Sequence, residues 1–270
     1  MPSSPIFYAD NSDPEMQRAY ESARQTFRYF WRELSWERRR IVPALDMSAV
    51  KVPFTDATSG SRSLGDSDVE HMWLSEVDFD GVSIRGTLLN DPHALTSVSQ
   101  GDEVAVALPN ISDWMYSIGG EAYGGFSVNL LRSRMDRRER QQHDNAWGLN
   151  FGDPARVRIV PEPKPAGGFL QSLFAKPTPP AQPPDEHPMS AAMAGKLQEQ
   201  LATNPGLVSM KDDRGWTFLH TEALAGNLAT VQVLLAAGAN PRERTPHGLL
   251  PRDLALSLGW NQVAAILPAR

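Results

Sequence analysis

Cysteine is absent from the 270-residue chain. Disulfides, thiolate nucleophiles and thiolate zinc sites are excluded with it. Long apolar runs are missing as well. None approaches the roughly 20 residues that a membrane-spanning helix requires, so no membrane partner is expected. The first 16 residues are polar and acidic, without the basic and apolar regions of a secretory leader, and the expected location is the cytoplasm. Lysine is scarce, five of 26 basic residues, and no function follows from that. The six histidines, at 71, 93, 143, 187, 220 and 247, show no metal-ligand spacing. Standard catalytic signatures are missing too: no G-x-S-x-G elbow, no P-loop, no H-E-x-x-H, no G-x-G-x-x-G after a strand. Neither a cofactor nor a metal is expected.

What charge there is lies unevenly. Residues 1–153 carry 15 Lys and Arg against 23 Asp and Glu, whereas residues 154–270 carry 11 against 9. An acidic first half argues against binding nucleic-acid phosphates, which needs clustered cations. It is compatible with a basic protein partner.

In chain order, residues 1–12 read as a loose arm. Asp13-Pro14-Glu15 is a helix start, with an N-cap Asp and Pro in the first turn. The spacing of Ala19, Ala23, Phe27, Phe30 and Trp31 predicts a helix over 14–34 with one apolar stripe. The run Glu37-Arg38-Arg39-Arg40 reads as a solvated helix end, with cations near the negative end of the dipole. From Asp46 the period changes to that of strands. These are expected at 49–54, at 71–74 with 77–79, and at 82–88 after the turn Asp80-Gly81. Further strands are expected at 104–108, at 111–118 and at 122–123 after Gly119-Gly120. Residues 55–68, rich in Ser, Gly and Asp, read as a loop. Residues 126–135 can begin helical structure, and 136–147 read as a charged helix stopped by Gly148. The expected fold of residues 13–154 is α+β: a helix, a curled antiparallel sheet and a helix.

Several short stretches stand out, in this order along the chain. They are Phe30-Trp31-Arg32-Glu33-Leu34, Glu70-His71-Met72-Trp73, Gly86-Thr87-Leu88-Leu89-Asn90, Gly101-Asp102, Ser112-Asp113-Trp114-Met115-Tyr116, Gly124-Gly125-Phe126 and Ala146-Trp147-Gly148. Together they resemble the YegJ-like bacterial family called domain of unknown function 2314, over residues 7–154. The resemblance implies a bacterial origin and a domain boundary. It brings no activity, since the family has none established.

Residues 155–188 read as a linker. Nine prolines fall between Pro161 and Pro188, a composition that stays extended and resists packing. One apolar island, 169–174, interrupts them. It reads as a docking helix or as a partner-recognition segment.

Beyond the linker, Gly215, Thr217, Leu219 and His220 open a turn and a helix. Gly226 breaks the chain, and Val231, Leu234 and Leu235 follow at helical spacing until Gly238. A step of about 33 residues carries Gly215 onto Gly248, Gly226 onto Gly259 and Leu234 onto Leu267. This resembles ankyrin repeats. The second unit has Leu250-Pro251-Arg252-Asp253 where the first has Thr217-Phe218-Leu219-His220, as suits an atypical terminal cap. Residues 193–210 resemble a degenerate leading unit. An all-α stack of two or three units is thus expected over 189–270, with His220 holding a turn.

The strongest catalytic constellation the sequence offers is His71, Asp91 and Asp113, with Asn90 nearby. Against it, Asp91-Pro92 initiates a turn and Asp113 satisfies backbone donors. Candidates for a partner-binding face are Trp73, Trp114, Tyr116 and Tyr123, with Trp216 and Arg242 on the repeat units. The function expected is non-enzymatic protein binding, of the kind in which an immunity or antitoxin protein occludes a basic toxin or effector. The alternative is a small-molecule binder, or an enzyme of unknown reaction, in the first domain, with the repeats as a targeting tail. The sequence leaves the oligomeric state open.

Overall fold

The computed structural model describes residues 13–56, 69–162 and 184–269. The arm at 1–12, the island at 169–174 and most of the 55–68 loop lie outside the described residues.

Helix α1 (Pro14–Glu37) starts where its cap predicts. The Asp13 carboxylate accepts the Glu15 N–H at 2.8 Å, and Pro14 occupies the first turn. Six strands follow: β1 (Met47–Thr55), β2 (Val69–Phe79), β3 (Ser83–Leu88), β4 (Glu103–Ala107), β5 (Asp113–Ile118) and β6 (Glu121–Gly124). They form one antiparallel sheet of order β4-β3-β2-β1-β5-β6. The two segments expected at 71–74 and 77–79 are one strand. A register shift between Ser75 and Asp78 bends it, with Glu76 at a φ of 52°. Helices α2 (Phe126–Ser133) and α3 (Arg137–Trp147) complete the α+β unit.

The sheet register sorts its side chains into two sets, because neighbouring strands place paired residues on the same face. Val50 pairs with Leu74 and Trp114. That face meets α1, where Phe27 packs on Phe79 and Phe30 on Trp114 and Tyr116. Lys51 pairs with Trp73 and Asp113 on the alternate face. There Met115, Ala122, Val128 and Phe151 form a smaller cluster, joined by Trp73 and Trp147. The chain remains on the sheet beyond residue 154: the Gly124 N–H bonds to the Arg158 carbonyl, and the Tyr116 hydroxyl to that of Ile159.

Residues 184–269 are helical. Helix α4 (Pro188–Thr203) runs into a 3-10 turn (Pro205–Ser209), followed by α5 (Phe218–Ala225), α6 (Leu228–Ala236), α7 (Pro251–Ser257) and α8 (Asn261–Ala265). The two later helix pairs begin at 218 and 228, then at 251 and 261, the same 33-residue step. The glycines obey it as well. Gly215 and Gly248 have φ of 75° and 77°, and Gly226 and Gly259 have 75° and 72°. In the first pair His220 Nδ1 accepts the Thr217 N–H at 3.1 Å and its Nε2 lies 3.0 Å from the Glu243 carbonyl. In the second pair Asp253 takes over the cap, accepting the Leu250 N–H at 3.1 Å. That explains how the second unit manages without Thr and His.

One expectation fails. The run Glu37-Arg38-Arg39-Arg40 is not a solvated helix end. Arg38 pairs with Asp78 at 2.7 Å, Arg40 with Glu37 at 2.8 Å, and Arg39 with Glu222 of α5 at 2.7 Å. The reason is that α1 has a second buried face. Along it Tyr29 packs edge-on against Trp260, Arg28 donates to the Gly259 carbonyl, Arg32 to the Pro184 carbonyl, Glu33 meets His187 at 3.1 Å, and Trp36 Nε1 donates to Asn227. The helical region is docked on the α+β unit through α1.

Within the helical region, Gly226 is packed tightly against Trp260. A Cβ there would stand 2.4 Å from Trp260 Cδ2, whereas one at Gly238 would meet nothing within 4 Å. Both glycines have positive φ. Gly238→Ala should therefore cost only the left-handed penalty, about 1–2 kcal/mol, and Gly226→Ala clearly more. Urea denaturation of the two variants checks this, and equal losses would refute it.

Candidate functional site

Asp113 is fully buried at the start of β5. Its carboxylate accepts the N–H of Phe126 at 3.0 Å, the N–H and hydroxyl of Ser127 at 2.7 and 2.6 Å, and its neighbour Trp114's N–H at 2.9 Å. It thereby caps α2, whose own N-cap residue is Gly125, which has no side chain to offer. Burial pushes its carboxyl above the ordinary value, against the pull of these donors and of Lys51.

His71 makes a different set of contacts. Its Nδ1 lies 2.6 Å from the Ser112 hydroxyl, its Nε2 lies 3.5 Å from the Tyr20 hydroxyl, and the ring stacks on Tyr20. Burial, then the charge of Lys51, lower its pKa from 6.5 to about 4, so the imidazole is neutral at physiological pH. Asp91 is exposed in the loop after β3 and accepts the Gln100 N–H at 2.8 Å. The hydrogen bonds of neither aspartate go to His71, so the three do not form the expected constellation.

The residue that the sequence reading missed is Lys51. It stands between Trp73 and Asp113 in the register, with its ammonium 5.6 Å from the Trp73 ring centre. Its charge acts on both His71 and Asp113. Burial lowers its own pKa. Val50-Lys51-Val52 reads as ordinary alternation, and only the pairing of β1 between β2 and β5 reveals the setting.

The aromatic candidates for a binding face are mostly interior. Trp114, Tyr116, Tyr123 and Trp216 are buried, because each stacks against α1, the sheet or the repeat core. Trp73 is half-buried against Trp147, and Arg242 alone is exposed. The open apolar surface lies elsewhere. Between the C-terminal end of α1 and α4, the 3-10 turn and α5 there is a cleft of about 690 Å³. Met193, Leu197, Leu207, Met210 and Phe218 line it together with Trp36. At its edge the Arg39–Glu222 pair is braced by Thr230 and Asn227, which donate to Glu222 at 2.5 and 2.8 Å. A second hollow of about 280 Å³, which shares Arg39, Met210 and Phe218, extends it towards Trp31 and Trp216.

The shifted histidine generates a pH prediction. The unfolded chain protonates His71 near 6.5 and the folded chain near 4. Between these values the unfolded state binds more protons, so stability falls as the pH drops from 6.5 to 4. His220 is displaced in the same direction by burial. Replacing His71 with Gln should flatten part of that loss and leave the His220 part. An NMR titration placing the His71 imidazole near 6.5 would refute the assignment.

The comparisons with known proteins agree with the two-part reading. The chain is 42% identical over 271 residues to the "Putative ankyrin repeat protein" of Neisseria meningitidis serogroup B, covering 100% of this chain and 99% of that protein. It is 36% identical over 86 residues to "Uncharacterized protein YegJ" of Escherichia coli, covering 32% of this chain and 50% of YegJ. A shorter likeness, 35% over 71 residues, is to "E3 ubiquitin-protein ligase KEG" of Arabidopsis thaliana, 26% of this chain and 4% of that protein. Residues 13–151 match the profile described as "Uncharacterized protein conserved in bacteria (DUF2314)", and with the full-length likeness this shows that the chain belongs to the DUF2314 family.

Proposed function

We propose that the chain is a non-enzymatic protein-binding protein, that its helical region is a short ankyrin-type stack, and that the cleft beside α1 receives a segment of the partner. The cleft carries this reading. It is a concave apolar surface of about 690 Å³ that includes exposed Met210 and Phe218. Contiguous apolar surface of that kind marks an interaction site. The 33-residue step in helix starts and glycine geometry supports the ankyrin reading, as does the name of the meningococcal relative.

The partner we infer is a basic protein of the toxin or effector kind, held by an immunity-type or antitoxin-type protein that occludes it. The support is the net charge of −6, with the acidic excess concentrated in the first half. Such a field steers a basic protein and raises its association rate more than its final affinity.

The test uses the intact chain as bait in a lysate of its own organism. One stoichiometric basic protein should be recovered, and less of it as salt rises. Leu197→Glu and Met210→Glu should each weaken capture by at least about tenfold, in line with removing one apolar anchor of ~1.5–3 kcal/mol. Capture unchanged in both variants would refute the cleft as the binding surface. No stoichiometric partner at low salt would refute the binding reading.

A further inference from the structure

We propose that Lys51 is a nucleophilic amine and that the face around it is a second site, separate from the cleft, for a small ligand bearing an aldehyde or ketone carbonyl.

The argument begins with what Lys51 lacks. Its side chain is half-buried. Among the described residues its ammonium has no carboxylate within ion-pair distance and donates no hydrogen bond. Its ammonium lies over the face of Trp73, 5.6 Å from the ring centre. Asp113, the nearest strand partner of opposite charge, has its oxygens occupied by α2 and by Trp114. An amine held in this way loses hydration without gaining an acceptor. That favours its neutral, nucleophilic form, and its lowered pKa agrees. The Trp73 ring pulls the other way, since a cation over indole is stabilised.

The surroundings make this more than an isolated lysine. Stretches far apart in the chain converge on it. His71 and Trp73 come from β2, and Asp113 from β5. The Ser112 N–H bonds to the Lys51 carbonyl at 2.8 Å. The Ser112 hydroxyl is held by His71 and His71 in turn faces Tyr20, a set of hydroxyls and a neutral imidazole suited to passing a proton.

The step balances without a co-reactant. The Lys51 nitrogen attacks the carbonyl carbon. The carbinolamine then expels its oxygen as water, and a C=N bond replaces the C=O bond and the two N–H bonds. Nothing is oxidised or reduced.

The test needs no variant at first. The full-length protein is incubated with pyruvate as probe and the imine is trapped with borohydride. Peptide mass spectrometry then reads the adduct at each of the five lysines. Lys51 should carry clearly more adduct than the exposed Lys196 at pH ~7.5, since a lowered pKa leaves more free amine. The preference should vanish in urea. Lys51→Arg, which keeps the charge, should remove the adduct without changing partner capture, which distinguishes this site from the cleft. Equal labelling of Lys51 and Lys196, or none on Lys51, would overturn the proposal.

Discussion

Helix α1 has to serve two cores at once, and most of the architecture follows from that constraint. Its sheet-facing stripe is apolar: Ala23, Phe27 and Phe30 are fully buried. Its other stripe is polar yet also buried, with Arg32 and Glu33 at 1% and 3% exposure. A charge taken out of water is costly unless it is paired and hydrogen-bonded. Here Glu33 meets His187, Arg32 donates to a backbone carbonyl, and Glu222 is held by Arg39, Thr230 and Asn227. Removing one member of such a buried set typically costs about 3–5 kcal/mol, because its partner is left uncompensated. The contacts therefore specify one docking of the helical region.

This constraint explains what could be read in the sequence and what could not. The repeat step was legible because it rests on glycines at positive φ, where other residues are strained, and Gly215, Gly226, Gly248 and Gly259 announce themselves. The strands around Asp80-Gly81 and Gly119-Gly120 were legible for the same reason. The second face of α1 was not, because Arg28, Arg32, Glu33 and Arg39 are the residues a solvated helix would carry. Only a partner surface with matching groups turns them into an interface, and that surface lies some 150 to 230 residues away in the chain.

The two candidate catalytic aspartates illustrate a different limit. Asp113 sits in a signature stretch and is buried, the profile of a functional carboxylate. Its oxygens are nevertheless consumed in capping α2, whose N-cap is a glycine. A buried acid with four donors is a structural anchor. Lys51 gives the opposite lesson. An unremarkable strand residue by sequence, it becomes chemically distinct because antiparallel pairing sets it between an indole and an anchored carboxylate.

The cleft and the Lys51 face lie on opposite sides of the same layer, and the geometry separates them. The face of β1 that carries Lys51 points away from the apolar stripe of α1, which reaches that side only through Tyr20 against His71, while Val50 and Val52 on the alternate face meet the core that α1 closes. The cleft is walled by the far side of α1, through Trp36 and Arg39. None of Lys51, His71, Trp73 and Asp113 lines the cleft. Coupling between them would have to pass through α1 as a body, and a packed helix with buried ion pairs on one side and aromatic rings on the other moves little without breaking one of those contacts. The fold thus favours independence of the two proposed sites, separated by a packed helix.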